Sequence, residues 1–240
     1  MKNILFLVPF FNEEINLIEI VKLIKKSSKI ESYNYKILFL NDCSTDKSFE
    51  TIQEYKNTNN EDNILLFENK KNMGHGKSLL RLFDLSSQYM EETTHVVTLD
   101  SDMKIESNDF NELFNFQNSV ICKRKRFEEG LFRAFITFCA EILVFLKTGN
   151  FWRDANCPLR LYTKKDFLAL LKVLPKNILT PNIAGTILTT KLNLEYDRKS
   201  IQLIYESKNS GVTWQGKQPL SKYKNILLFS FKSFKEIISL

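Results

Sequence analysis

Short apolar runs alternating with helical patterns through the first half constrain this 240-residue chain more than any other feature. Residues 4–9, 35–40, 63–67, 95–99 and 119–122 are rich in Ile, Leu, Val and Phe. Continuous runs of that length fit strands buried on both faces, as in parallel sheets whose crossovers are helices. The pattern predicts an α/β fold with a mostly parallel central sheet flanked by helices. A content of 43% hydrophobic and 26% charged residues fits a packed globular unit. It excludes collagen-like, disulfide-scaffold and wholly disordered chains.

Punctuating residues predict the boundaries. Asn12 is expected to start the first helix, its side chain accepting from orphan amides, with Glu13 and Glu14 at the positive end of the dipole. A second helix is expected from near Thr45 or Asp46 and a third after Gly76. Past Ser119 the rhythm fails, and a helix over 131–147 leads into an irregular segment, 150–160. Thr163 is the N-cap of a helix reaching Val173, and Thr180 followed by Pro181 starts another. Residues 201–205 read as a strand, and a polar loop containing Gly211 and Gly216 precedes a last helix. With no repeat, low-complexity tract or linker, we expect one domain over residues 1–216 and an appended amphipathic helix over 217–240.

The first apolar run is cut short by Pro9, so it reads as a strand and not as a signal peptide. Residues 135–146 are interrupted by Glu141, and 226–240 by Lys232, Lys235 and Glu236; neither is expected to span a bilayer. In the last helix Tyr223, Ile226, Leu227, Phe231, Phe234, Ile237 and Ile238 fall within an arc of roughly 140°, with lysines opposite. That face fits either the protein core or an anionic membrane surface. Cys43, Cys122, Cys139 and Cys157 are scattered, which fits reduced thiols rather than a zinc ribbon or dithiol. The 34 basic against 28 acidic residues, a net charge of +6, favour an anionic partner.

The chemistry concentrates where strands end. Val96-Val97-Thr98-Leu99 delivers Asp100 and Asp102, alternate residues that would face the same way on extended chain. Two hard oxygen ligands suit Mg²⁺ or Mn²⁺ shared with a diphosphate. A second strand ends in Asn41-Asp42-Cys43-Ser44-Thr45-Asp46, and the first in Pro9-Phe10-Phe11-Asn12-Glu13-Glu14. Residues 69–78 add a loop with Gly74, Gly76, Lys70, Lys71 and Lys77.

In this order, the four motifs resemble the nucleotide-sugar half of inverting family 2 glycosyltransferases of GT-A fold. The resemblance implies that Pro9, Phe11, Glu13 and Asp42 hold the base and ribose, and that Asp46, Gly74 and Lys77 line the same pocket. It implies that Asp100 contacts the ribose or the metal and that Asp102 holds the metal. The second half resembles dolichyl-phosphate mannosyltransferases and related polyprenyl-phosphate glycosyltransferases. Arg126, in Lys123-Arg124-Lys125-Arg126, stands at their arginine turn. Arg133 and Thr137 match a pair that receives the lipid phosphate. Arg160 belongs to a matching segment over 154–162, and Lys208 opens another over 208–213. Lys104 stands where those enzymes often have Gln, and Pro158-Leu159 where they have Gly-Phe.

Around Ala184-Gly185-Thr186 there is no acid to deprotonate a sugar hydroxyl. A phosphate acceptor needs none, because its second pKa is about 6. The expectation is therefore a metal-dependent transferase that moves a sugar from a GDP- or UDP-sugar to a polyprenyl phosphate. It would work peripherally at the cytosolic membrane face, alone or with a membrane partner protein, and without nucleic acid. Two alternatives stay open: a family 2 transferase acting on a glycan hydroxyl, and a non-catalytic nucleotide-sugar-binding subunit. His95 reads as structural, Trp152, Tyr162 and Trp214 as packing, and the phenylalanines between 127 and 151 as core or lipid groove.

Overall fold

The computed structural model describes residues 2–124, 131–202 and 219–240, with side chains over 2–124, 135–202 and 227–240. The strands β1 (Asn3–Phe10), β2 (Asn34–Asn41), β3 (Ile64–Glu68) and β4 (His95–Thr98) are joined by α1 (Asn16–Ile30), α2 (Ser48–Thr58) and α3 (His75–Ser86). There follow α4 (Ser107–Asn111), β5 (Ser119–Arg124), α5 (Leu131–Thr148), β6 (Arg160–Thr163), α6 (Lys164–Val173), α7 (Pro181–Lys191), β7 (Tyr196–Ile201) and α8 (Pro219–Ser239).

One seven-stranded sheet runs β3-β2-β1-β4-β6-β5-β7. Its pairs are parallel except those of β6, which is antiparallel to β4 and β5. The chain steps from β1 outward to β3 and then returns to β4 on the other side of β1. That reversal opens a crevice at the carboxyl ends of β1 and β4, where ligands bind in sheets of this kind.

The apolar runs are buried on both faces, as their lack of alternation predicts. Phe6 and Val8 face Leu17, Val21, Phe110 and Phe114 on one side, while Leu5 and Leu7 face Leu82, Phe83 and Phe167 on the other. Edge-to-face contact between Phe83 and Phe167, centroids 5.4 Å apart, locks α3 to α6. A third cluster of Ile121, Val144, Trp152, Ile187 and Ile237 ties α5, α7 and α8 to β5. Among the described residues no helix is long and apolar enough to cross a membrane.

Several expectations need correcting. Helix α1 begins at Asn16, not Asn12, and Ile15 at its cap position gives no side-chain hydrogen bond. Asn12 instead takes a left-handed φ of 55° and accepts a hydrogen bond from the Thr45 amide at 2.8 Å. Its side chain is therefore spent on joining two loops. Thr163 does cap α6, accepting from the Asp166 amide. Among the described residues the last strand is Tyr196–Ile201, which begins five residues before the expected 201–205 and ends at Ile201; residues 203–205 lie outside the described residues. Its polar sequence hid it: Lys199 is buried because its amine pairs with Asp109 and Glu112. Strand β6 was not expected either, being only four residues long. None of the four cysteines forms a disulfide.

Candidate active site

The loops after β1, β2 and β3 are fastened to one another. The Glu13 amide donates to Ser48 Oγ at 2.7 Å, and that hydroxyl in turn donates to Asp46. The Asn12 amide donates to Ser44 Oγ at 3.0 Å, and the Ser44 amide to Asn41 Oδ1 at 2.9 Å. Asp42, 3% exposed, accepts from Asn69 Nδ2 at 2.6 Å, from the Met73 amide at 2.8 Å and from the Gly74 amide at 2.8 Å. Asp42, expected to read base or ribose, thus spends both carboxylate oxygens on shaping the 69–74 loop. Asn69 also donates to Ser78 Oγ and accepts from Arg81.

That loop needs its glycines for different reasons. Gly74 has a φ of +84°, a region costly for residues with a Cβ. At Gly76 an added Cβ would sit 2.1 Å from the Leu179 carbonyl oxygen, so glycine lets the start of α3 approach the loop before α7. Lys77 is exposed on the first turn of α3.

The crevice is acidic. Burial first, and then the charges of Asp102, Asp46 and Asp100, raise the Glu13 carboxyl to about 7 against a hydrogen bond from Asn16. Asp102 opens to solvent at the mouth but is hemmed in by protein on its other sides. That desolvation, followed by repulsion from Asp100, raises its carboxyl to about 6, with His75 and Arg124 opposing. His75 Nε2 lies 3.4 Å from Asp100 Oδ1. The negative charge gathered at Glu13, Asp46, Asp100 and Asp102 favours a cation among them. Among the described residues no three acidic, His or Cys side chains close into a metal cage. Asp100 and Asp102 offer two hard oxygen donors of the kind a divalent ion takes.

Toward β5 the chemistry changes sign. Arg124, at the end of that strand, grips Asp154 with Nε and Nη2, each at 2.7 Å, while its own amide donates to the same carboxylate at 3.1 Å. Asp154 is fully buried at a φ of 54°, and its amide donates to Glu141 Oε1 at 2.8 Å. These groups floor a cavity of about 140 Å³ between α5 and α8, lined also by Thr137, Asn156, Ile183, Phe229 and Ser233.

Of the expected phosphate receivers, Thr137 lines this cavity. Arg126 and Lys208 lie outside the described residues, as does the side chain of Arg133 on the first turn of α5. Arg160 needs a correction: it is 0% exposed and donates to the carbonyls of Cys157 at 2.9 Å and Ala155 at 2.7 Å. It holds the 154–160 loop from beneath and does not reach the cavity. Pro9 is buried in β1, and Phe11 is half-buried just beyond it. His95 is held neutral, its pKa lowered to about 4 by burial and by Lys2, which suits a structural residue.

Residues 6–162 match the sequence profile of Glycosyl transferase family 2. The chain belongs to this family. Undecaprenyl-phosphate 4-deoxy-4-formamido-L-arabinose transferases are among its relatives. That of Proteus mirabilis is 22% identical over 78% of this chain, and that of Pectobacterium atrosepticum 22% over 81%. The chain spans 57% and 59% of those two proteins, less than two thirds of their length. Similar folds include glucosyl-3-phosphoglycerate synthase from Mycobacterium tuberculosis with Mn²⁺ and UDP. There the TM-score is 0.65 at 14% identity, over 99% of this chain and 79% of that one. TarS 1-349 from S. aureus with UDP-GlcNAc gives a TM-score of 0.57 at 17% identity, over 95% and 65%. The fold is GT-A.

Proposed function

We propose that the protein transfers a sugar, with inversion, from a GDP- or UDP-sugar to a polyprenyl phosphate such as dolichyl or undecaprenyl phosphate. It uses Mg²⁺ or Mn²⁺ and works at the cytosolic face of a membrane, with the helix over 217–240 as part of its peripheral attachment. One observation carries this reading. The acidic crevice and the cavity between α5 and α8 meet at Arg124, which offsets the charge at Asp102 and also lines the cavity. The names of the relatives support a lipid phosphate as the group on the cavity side.

Pro9, Phe11 and Glu13 hold base and ribose, with Asp42 acting through the loop it shapes and Asp46 and Lys77 lining the same pocket. Asp100 and Asp102 hold the divalent ion, which when bound neutralises charge developing on the departing diphosphate. Arg124 and Thr137, together with Arg126, Arg133 and Lys208, receive the acceptor phosphate; arginine forks match its oxygens. A phosphate oxygen attacks the anomeric carbon opposite the diphosphate. As that C–O bond forms, the bond to the diphosphate oxygen breaks, and the nucleoside diphosphate leaves with the electron pair. No base is required, since the acceptor's second pKa is about 6. The nearby acids, Asp154 and Glu141, are both engaged with protein donors.

The test is transfer of label from GDP- and UDP-sugars into organic-extractable polyprenyl phosphate with Mn²⁺ or Mg²⁺, beside Asp102→Ala. Label in the lipid phase that the variant abolishes is the expected result. Donor turnover with label left in water would replace the lipid acceptor by a hydroxyl. No turnover with any donor would leave a binding subunit.

A further inference from the structure

Helix α5 is turned inside out for a helix packed on a sheet. Phe135 (62% exposed), Phe138, Ile142, Phe145 and Leu146 (72%) all face outward, within an arc of about 100°. Its one acid, Glu141, is 7% exposed and receives the Asp154 amide inside. Helix α8 repeats the inversion. Leu227, Leu228, Phe231 (73%) and Ile238 face outward, while Ser230, Ser233 and Ile237 pack inward. The apolar arc expected for this helix therefore splits, with Ile237 in the core and Phe231 in the open.

The two helices are neighbours. Ala140 and Val144 share a cluster with Phe234 and Ile237, and the Lys147 amine donates to the Ile238 carbonyl. Their outer stripes thus adjoin as one surface of nine large apolar side chains, well beyond the single exposed apolar residues found elsewhere on soluble proteins. On the described residues of the two helices the fully exposed charges are cationic. Lys232 and Lys235 are exposed on α8, and Arg153 and Arg198 flank the exposed Phe151. The only acid of α8, Glu236, is drawn inward to the Leu179 amide at 2.7 Å.

We propose that the outer faces of α5 and α8 together form a docking surface for an anionic lipid bilayer, with the aromatic and aliphatic side chains in the headgroup boundary and the lysines and arginines against lipid phosphates. The apolar stripe supplies burial and the cationic fringe supplies charge complementarity, the two features of helices that lie in a membrane interface. Neither helix can span a bilayer. Docked this way, the cavity between them opens at headgroup depth. The inference deepens the lipid-acceptor reading and rests on it for its purpose, but it is measurable without any substrate.

The experiment is co-sedimentation of the full chain with vesicles of phosphatidylcholine alone or mixed with phosphatidylglycerol, free of polyprenyl phosphate and donor. Binding is expected with the mixed vesicles. It should fall at least about tenfold in the double variant Phe138→Ser, Phe231→Ser, and about fivefold for each of Lys232→Gln and Lys235→Gln on anionic vesicles only. All four positions are exposed, and circular dichroism confirms that the variants fold. Wild-type protein left in the supernatant with both vesicle types would overturn the proposal. So would a dimer by light scattering that the Phe variants dissolve, since the face would then belong to a second copy. Transfer to acceptor in detergent is measured separately. Docking without transfer sinks the acceptor reading alone, and transfer without docking sinks the docking surface alone.

Discussion

In α3, Leu79, Leu82 and Phe83 turn to the sheet while Lys77 and Asp84 turn to solvent; in α5, five large apolar residues turn out and Glu141 turns in. The crevice beside α3 is built of loops tied by backbone and carboxylate hydrogen bonds, whereas the cavity beside α5 holds an ion pair and is walled by apolar side chains interleaved with the hydroxyls of Thr137, Thr180, Ser230 and Ser233. A helix whose only surroundings are the protein interior and water sorts its residues as α3 does. The sorting of α5 and α8 calls for a third environment, and a lipid surface supplies one. The two halves should therefore fail differently when cut.

The largest expected effect is on chemistry in the donor half. Asp102→Ala removes half of the carboxylate pair proposed to hold the divalent ion, and kcat should fall about a thousandfold, a loss of several kcal/mol of transition-state stabilisation. The melting temperature should not fall, because the variant also relieves repulsion on Glu13 and Asp100. A variant that lost stability along with activity would show that the crevice, like the cavity, is held together by its charges.

In the acceptor half the same kind of cut should strike the fold. Asp154→Ala removes the carboxylate that the Arg124 guanidinium, only 15% exposed, grips at two points, and breaking such a pair costs about 3 kcal/mol or more. Urea unfolding of the two variants side by side would sharpen the contrast. An Asp154→Ala protein as stable as wild type would remove the ion pair from the floor of the cavity.

This contrast also explains what was legible in the sequence. The mostly parallel sheet and the acids at strand ends follow from the alternation and period of the apolar runs, so Asp100, Asp102 and Glu13 could be placed at one sheet edge in advance, though the strand order could not. What those acids touch could not. Asp42 meets Asn69, and Asn12 meets Thr45, through pairings between loops far apart in sequence, and no local pattern announces them. Arg160 looked like a phosphate ligand because it stands in a matching segment, but it is fully buried and its guanidinium is turned to two carbonyls of its own loop and to the Tyr162 hydroxyl. Arg124 was overlooked inside a run of four cations, where only the end of β5 singles it out. Periodicity in α5 and α8 shows that a face is apolar and not which solvent it faces.

A smaller effect is expected at Asp42→Asn. The amide replaces one acceptor oxygen by a donor that opposes the Gly74 or Met73 amide. Stability should drop by about 1 to 2 kcal/mol. The KM for the donor should rise roughly tenfold while kcat changes little, because the residue shapes the loop and does not touch the reacting atoms. An unchanged KM would mean that the loop keeps its form without Asp42.

At Glu13→Gln the expected effect is on stability alone and is a matter of pH. The wild-type carboxyl is raised to about 7 in the folded protein from an ordinary 4.5, so the native state holds a proton that the unfolded chain has released. Below about 4.5 both states are protonated and Glu13 costs nothing. As pH rises toward 7 wild type loses stability relative to the glutamine variant, by about 3 kcal/mol for a shift of this size, and above 7 the gap stays constant. Chemical denaturation in EDTA at pH 4.5, 6 and 8 would read it. Adding Mg²⁺ should shrink the gap by offsetting Asp100 and Asp102. It should not close it, since burial, the larger cause of the shift, is untouched by the ion.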